Sequence, residues 1–151
     1  MYSTALFLHS WLRWLALIAG VGATFAALGT GDGARLRSAE RWGLMFMIAL
    51  DLQLLLGLVL YGFLSPYAAA AMNDFGAAMR DPMLRFWAVE HPVVMVAAVV
   101  LAHVGRVLAR KAADADKKRK RLLICFGLAL LLMLLRTPWP GMANARPLFR
   151  V

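Results

Sequence analysis

Four apolar runs, residues 4–28, 42–64, 85–110 and 120–137, alternate with three polar or mixed connections along this chain. A helix that crosses a bilayer needs about 20 predominantly apolar residues, and each of the first three runs meets that length. The fourth has the shortest apolar core, but Arg121 and Arg136 flank it with side chains long enough to snorkel. The first connection, GTGDGARLRSAER, is a glycine-rich polar turn, and no strand or Gly-Lys-Ser/Thr makes it a phosphate loop. In the second, Met72, Phe75 and Met79 recur at helical spacing, which predicts an interfacial helix over residues 67–80. The third, ARKAADADKKRKR, reads as a solvated basic turn, and Ser65-Pro66 and Thr137-Pro138 end the spans before them. This pattern predicts an all-α integral membrane four-helix bundle forming one transmembrane domain over residues 1–151.

The spans are not uniformly apolar. His9 and Arg13 lie four apart near the start of the first, Asp51 and Gln53 lie in the second, and Glu90, His91 and His103 lie in the third. A titratable side chain at hydrocarbon depth costs a few kcal/mol on insertion scales, so each asks for a partner. His91 and His103 are twelve residues apart, about 18 Å of helical rise, which puts them toward opposite membrane faces. Small residues at spacing four in the first span, Ala16 and Gly20, and Ala19, Ala23 and Ala27, predict close approach of a neighbouring helix. Gly57 and Gly62 mark either a close helix or room for a bulky ligand.

Composition agrees with the pattern: 62% of residues are hydrophobic and 17% charged, unlike a soluble domain. The net charge of +9 raises nucleic acid as a partner. Its distribution argues against that, because the basic residues gather where apolar runs end, as in a protein facing anionic lipid. Eleven of the 17 Lys and Arg residues sit in the first and third connections and their flanks. Keeping positive residues inside then places both termini and the 67–82 connection on the outer, periplasmic side of a bacterial inner membrane. Cys125 is the one cysteine, so no internal disulfide forms.

That orientation sorts the polar side chains by depth. His9, Arg13, Arg85, Glu90, His91 and Arg136 share the outer level; Asp51 and His103 share the inner one. The depths of His9 and His91 agree within about one helical turn. Two imidazoles on different helices of an apolar bundle are a haem-binding geometry, and Arg13, Arg85 and Arg136 supply cations for the propionates. Pro92 loosens the helix at His91 by removing a backbone donor. Asp51 and His103 are expected to form a buried hydrogen-bonded pair. There is no CxxCH and no HExxH, so covalent haem and a metalloprotease centre are excluded, and no catalytic residue is assigned. Two other readings stand beside haem. All three histidines can be structural, His91 pairing with Glu90 or a neighbouring carbonyl, or His9, His91 and Met95 can hold copper.

HSWLRW near the start, DLQLLLGLVLYG, FWAVEHPVVMVAAVVLAHVGR and the closing TPWP resemble a group of small four-span bacterial membrane proteins labelled cytochrome-b-like. The resemblance covers most of the chain through short motifs. It implies a b-type haem, with His9, His91 and His103 as ligand candidates. A two-haem version of the layout would carry a histidine where Asp51 stands. The expected function is a small b-type cytochrome that exchanges electrons with a quinol or a redox partner protein. The alternative is a non-catalytic integral subunit or assembly factor of a larger membrane complex. A proton-coupled transporter using Asp51, Glu90 and His103 is disfavoured by the small size and the lack of a visible internal repeat.

Overall fold

The computed structural model describes residues 1–29 and 33–149. Residues 30–32 of the predicted glycine-rich turn, and residues 150 and 151, lie outside it. The chain is all-helical, with 85% of residues in helix and no strand among the described residues. The helices are α1 (Tyr2–Leu28), α2 (Gly33–Val59), α3 (Pro66–Asn73), α4 (Phe75–Arg80), α5 (Pro82–Arg85), α6 (His91–Arg110) and α7 (Ala115–Arg136). Two π-helical turns, Leu60–Leu64 and Phe86–Glu90, extend α2 and join α5 to α6. Among the described residues, three continuous helical stretches are long and apolar enough to cross a membrane: Tyr2–Leu28, Gly33–Leu64 and Pro82–Arg110. The uninterrupted apolar part of α7 runs only from Leu122 to Leu135, short of the usual spanning length.

Two boundaries differ from the expected ones for the same reason. The basic stretches read as turns are largely helical: α2 starts at Gly33 and α7 at Ala115, so Arg35, Arg37, Arg41 and Lys117 to Arg121 stand on helices. Ala, Leu, Glu, Lys and Arg are strong helix formers whatever their polarity. Asp114 also gives α7 a defined start, its side chain accepting from the Lys117 amide at 2.7 Å. In the second connection the single predicted helix is two, α3 and α4. Asp74 interrupts them and caps the second by accepting from the Ala77 amide at 2.8 Å.

Helix α1 packs on α2 and α7, and α6 packs on α7 and α2, so α1 and α6 stand across from each other. Alanines let the neighbours come close: Ala16, Ala23, Ala27, Ala39, Ala98, Ala102 and Ala129 are fully buried. Across the other diagonal α2 meets α7. The Phe126 ring lies where a side chain on Gly43 would project, and the Phe46 and Phe126 rings meet edge-on at 6.0 Å. Gly105 meets the Cys125 side chain in the same way between α6 and α7. Between the helices this end, which carries the Arg- and Lys-rich starts of α2 and α7, is closely packed. Outward faces are largely apolar, with Leu15, Phe25, Leu55 and Ile124 all more than half exposed.

The other end is built differently. Both π turns precede a proline, Pro66 or Pro92, which has no amide hydrogen to continue the ladder. The Ser65 and His91 amides reach back five residues, to the Leu60 and Phe86 carbonyls. Pro92 leaves the Ala88 carbonyl without its helical donor, and the Tyr61 hydroxyl donates to it at 2.9 Å. The short helices α3 and α4 pack through Ala71 and Ala78 against Ala88 of the second π turn, with Leu84 of α5 beside them. The tail after α7 is irregular but tied down: Arg13 and Trp14 both donate to the Leu148 carbonyl, at 2.9 and 3.0 Å, and Phe149 stacks on Trp14.

Candidate functional site

A cavity of about 450 Å³ lies among α1, α2 and α6, beside the two π turns. Its walls are mostly aliphatic and aromatic, and its polar side chains include His9, Arg13, Gln53, Tyr61, His91 and Arg146. The volume is that of a small-molecule or cofactor site, apolar with a few polar groups, which lie between helices as a rule.

His9 comes from α1 and His91 from the first turn of α6, and both line this cavity. Nδ1 of His91 lies 2.8 Å from the Arg136 carbonyl at the end of α7. A carbonyl only accepts, so Nδ1 carries the hydrogen and Nε2 keeps its lone pair. His9 is held less completely: its Nδ1 is buried and has no hydrogen-bond partner. Its backbone carbonyl accepts from Gln53 Nε2 at 3.0 Å, which ties this turn of α1 to α2. Gly57 faces the ring, since a Cβ there would stand 3.4 Å from His9 Cε1. Gly62 has no neighbour within 4 Å of such a Cβ, and it does not line the cavity.

The arginines divide. Arg13, 8% exposed, lines the cavity. Arg85 and Arg136 do not; both pair with Glu90, at 2.9 and 3.3 Å. Both guanidiniums turn to the carboxylate between them rather than to the cavity. The cation that joins Arg13 at the cavity is Arg146, whose guanidinium lies 5.1 Å from the Tyr67 ring centroid and 5.0 Å from that of Trp87. Nothing in the sequence pointed to it, because it sits in a tail without periodicity. Met95 also lines the cavity. Among the described residues no group of three or more His, Cys, Asp or Glu side chains is placed to hold a metal ion.

Asp51 and His103 meet as expected in level, with Oδ1 2.8 Å from Nε2. Their burial is not as expected. The side chains are 41% and 46% exposed, so the pair sits on the outward seam between α2 and α6 and not in the core.

Comparison of the chain with protein-family models, curated proteins and solved structures finds no match.

Proposed function

We propose that this protein is a small b-type cytochrome of a bacterial inner membrane, holding one haem in the cavity between α1 and α6. The observation that carries the reading is the pair of imidazoles from opposed helices on one apolar cavity. The donor set fits. His91 has its Nδ1 engaged by a carbonyl, the usual arrangement of a metal-ligating histidine, which frees Nε2 for iron. His9 has a buried nitrogen without a partner, and such groups are rare unless a ligand or ion answers them. Arg13 and Arg146 are the cations suited to the propionates. Bound there, haem iron would supply one-electron chemistry, and the apolar walls would keep water from it.

In this reading α7 is a fourth span, lengthened by the snorkelling Arg121 and Arg136, and both termini face outward because the basic ends of α2 and α7 stay inside. Electrons would pass between a quinol or a redox protein and an acceptor at the outer face. The test is spectroscopic. Protein expressed with a haem supply should give one haem per chain in a pyridine haemochrome assay and a low-spin spectrum. His9→Ala and His91→Ala should each lose that spectrum, and His103→Ala should keep it. Wild-type protein without stoichiometric haem would overturn the proposal and leave the non-catalytic subunit reading in its place.

A further inference from the structure

Asp51 and His103, on two of the spanning helices, have no part in the haem reading. They hydrogen-bond to each other across the seam of α2 and α6, within two of the three stretches long enough to span a membrane. Ionisable side chains in such segments almost always face protein or a polar cavity, since hydrocarbon offers no partner. Here both side chains are more than 40% exposed, on the outside. The single hydrogen bond uses His103 Nε2 and Asp51 Oδ1, so Nδ1 and Oδ2 are left to be answered from outside the chain. The residues three before and four after each are apolar and exposed: Ile48 and Leu55 on α2, Val100 and Val107 on α6. Spacing of three and four with a polar residue at one seam position is the pattern by which helical interfaces fix register and copy number.

We infer that this seam is a homodimer interface, in which the Asp51–His103 pair of one copy docks against the same pair of a second copy. Symmetry selects that occupant. Two copies inserted the same way are related by a two-fold axis along the membrane normal, which preserves depth and reverses every direction in the membrane plane. The vector from Asp51 to His103 runs across the helices from α2 to α6, so in the second copy it runs the opposite way. Asp51 of each copy then faces His103 of the partner subunit at equal depth. The four side chains close a ring of hydrogen bonds. With two protons per pair, each His103 Nε2–H donates to its own Asp51. The cross contact is either imidazolium Nδ1–H to carboxylate Oδ2, or carboxylic acid Oδ2–H to imidazole Nδ1. In both forms every N–H and O–H of the four side chains is used. This inference rests on the membrane reading of α2 and α6 and not on haem.

Full-length protein, labelled for energy transfer and reconstituted in phosphatidylcholine vesicles, tests it by dilution with lipid. Wild type should associate as a dimer. Asp51→Leu and His103→Leu should each weaken association about tenfold. Mixed together, the two variants should associate more tightly than either does alone. One cross contact survives in the mixed dimer, although neither chain keeps its internal pair, so a merely structural role would not produce this rescue. As a measurement that leaves the pair intact, Val100→Cys in a Cys125→Ser background should cross-link to a dimer in membranes, and Leu131→Cys on α7 should not. A wild-type chain that is monomeric at every dilution overturns the inference, as does failure of rescue between well-folded variants. Preferential cross-linking through Leu131→Cys overturns it too.

Discussion

The two ends of this molecule are made from the same four long helices and packed in opposite ways. At the basic end, alanine and glycine let the backbones approach, and the Phe46 and Phe126 rings pack between α2 and α7. At the cavity end, residues of both π turns and Pro92 join His9, His91 and the apolar side chains around some 450 Å³. The difference shows where the fold gets its stability and where it gives some up. Close packing recovers dispersion and apolar burial at one end. The other end leaves a void and a buried imidazole nitrogen without a partner, both of which lower stability unless something occupies the cavity.

Large-to-small substitution should break this contrast most strongly. Phe126 is fully buried, and Phe126→Ala should cost about 3–5 kcal/mol in a thermal or denaturant titration. Leu54→Ala, on the cavity wall, should cost clearly less, because a side chain beside a void has fewer contacts to lose. Equal losses at the two sites would mean that the cavity is closed in solution. Gly57→Leu sharpens the same point from the other side. It places a side chain against His9, should abolish haem uptake, and should leave the melting temperature of haem-free protein unchanged or raised. A fall comparable to that of Phe126→Ala would show the space to be filled already.

A smaller effect is expected at the proline that shapes the cavity end. The Ala88 carbonyl, released from the helix by Pro92, has the Tyr61 hydroxyl as donor. Tyr61→Phe keeps the ring and removes the donor, so about 1–3 kcal/mol should be lost in the same titration. Backbone amide exchange should quicken around residues 86–92 before it does in α1. Unchanged exchange there would mean that water replaces the hydroxyl.

Much of this architecture can be read from the sequence, and the parts that cannot share a cause. Apolar runs give the helices, and counting residues along antiparallel helices gives depth, so His9 and His91, or Asp51 and His103, fall on one level. Rotation about the helix axis is another matter. Where a helix is apolar on every side, the pattern does not say which stripe faces the core. That is why the Asp51–His103 pair, expected inside, lies outside, and why Arg85 turns to Glu90, whereas Arg136 is a partner that the placement of Glu90 on its helix does suggest. Arg146 and Leu148 reach the cavity end from a segment with no period at all. The helical extent of the basic stretches was obscured by their charge, though their residues are good helix formers.

The smallest effect is expected at the start of α7, where stability at the basic end depends on an exposed group rather than on packing. Asp114 accepts from the Lys117 amide and pairs with the Lys117 ammonium, Oδ2 to Nζ being 3.1 Å. The hydrogen bond from that amide, followed by the one from the ammonium, holds the Asp114 carboxyl below its ordinary range. A carboxyl depressed in the folded state binds protons more readily when unfolded. Its contribution is therefore complete above the ordinary aspartate range and is lost as pH falls through and below it. Amide exchange at Lys117 and Lys118 should accordingly speed up, relative to the α7 interior, between about pH 6 and about pH 3. Asp114→Ala should show the faster relative exchange at both pH values and no further pH response. Phe126 and the alanine contacts should not sense the change. If exchange deep in α7 rises equally, the basic end is held by its cap more than by its packing, and the contrast between the two ends would have to be redrawn.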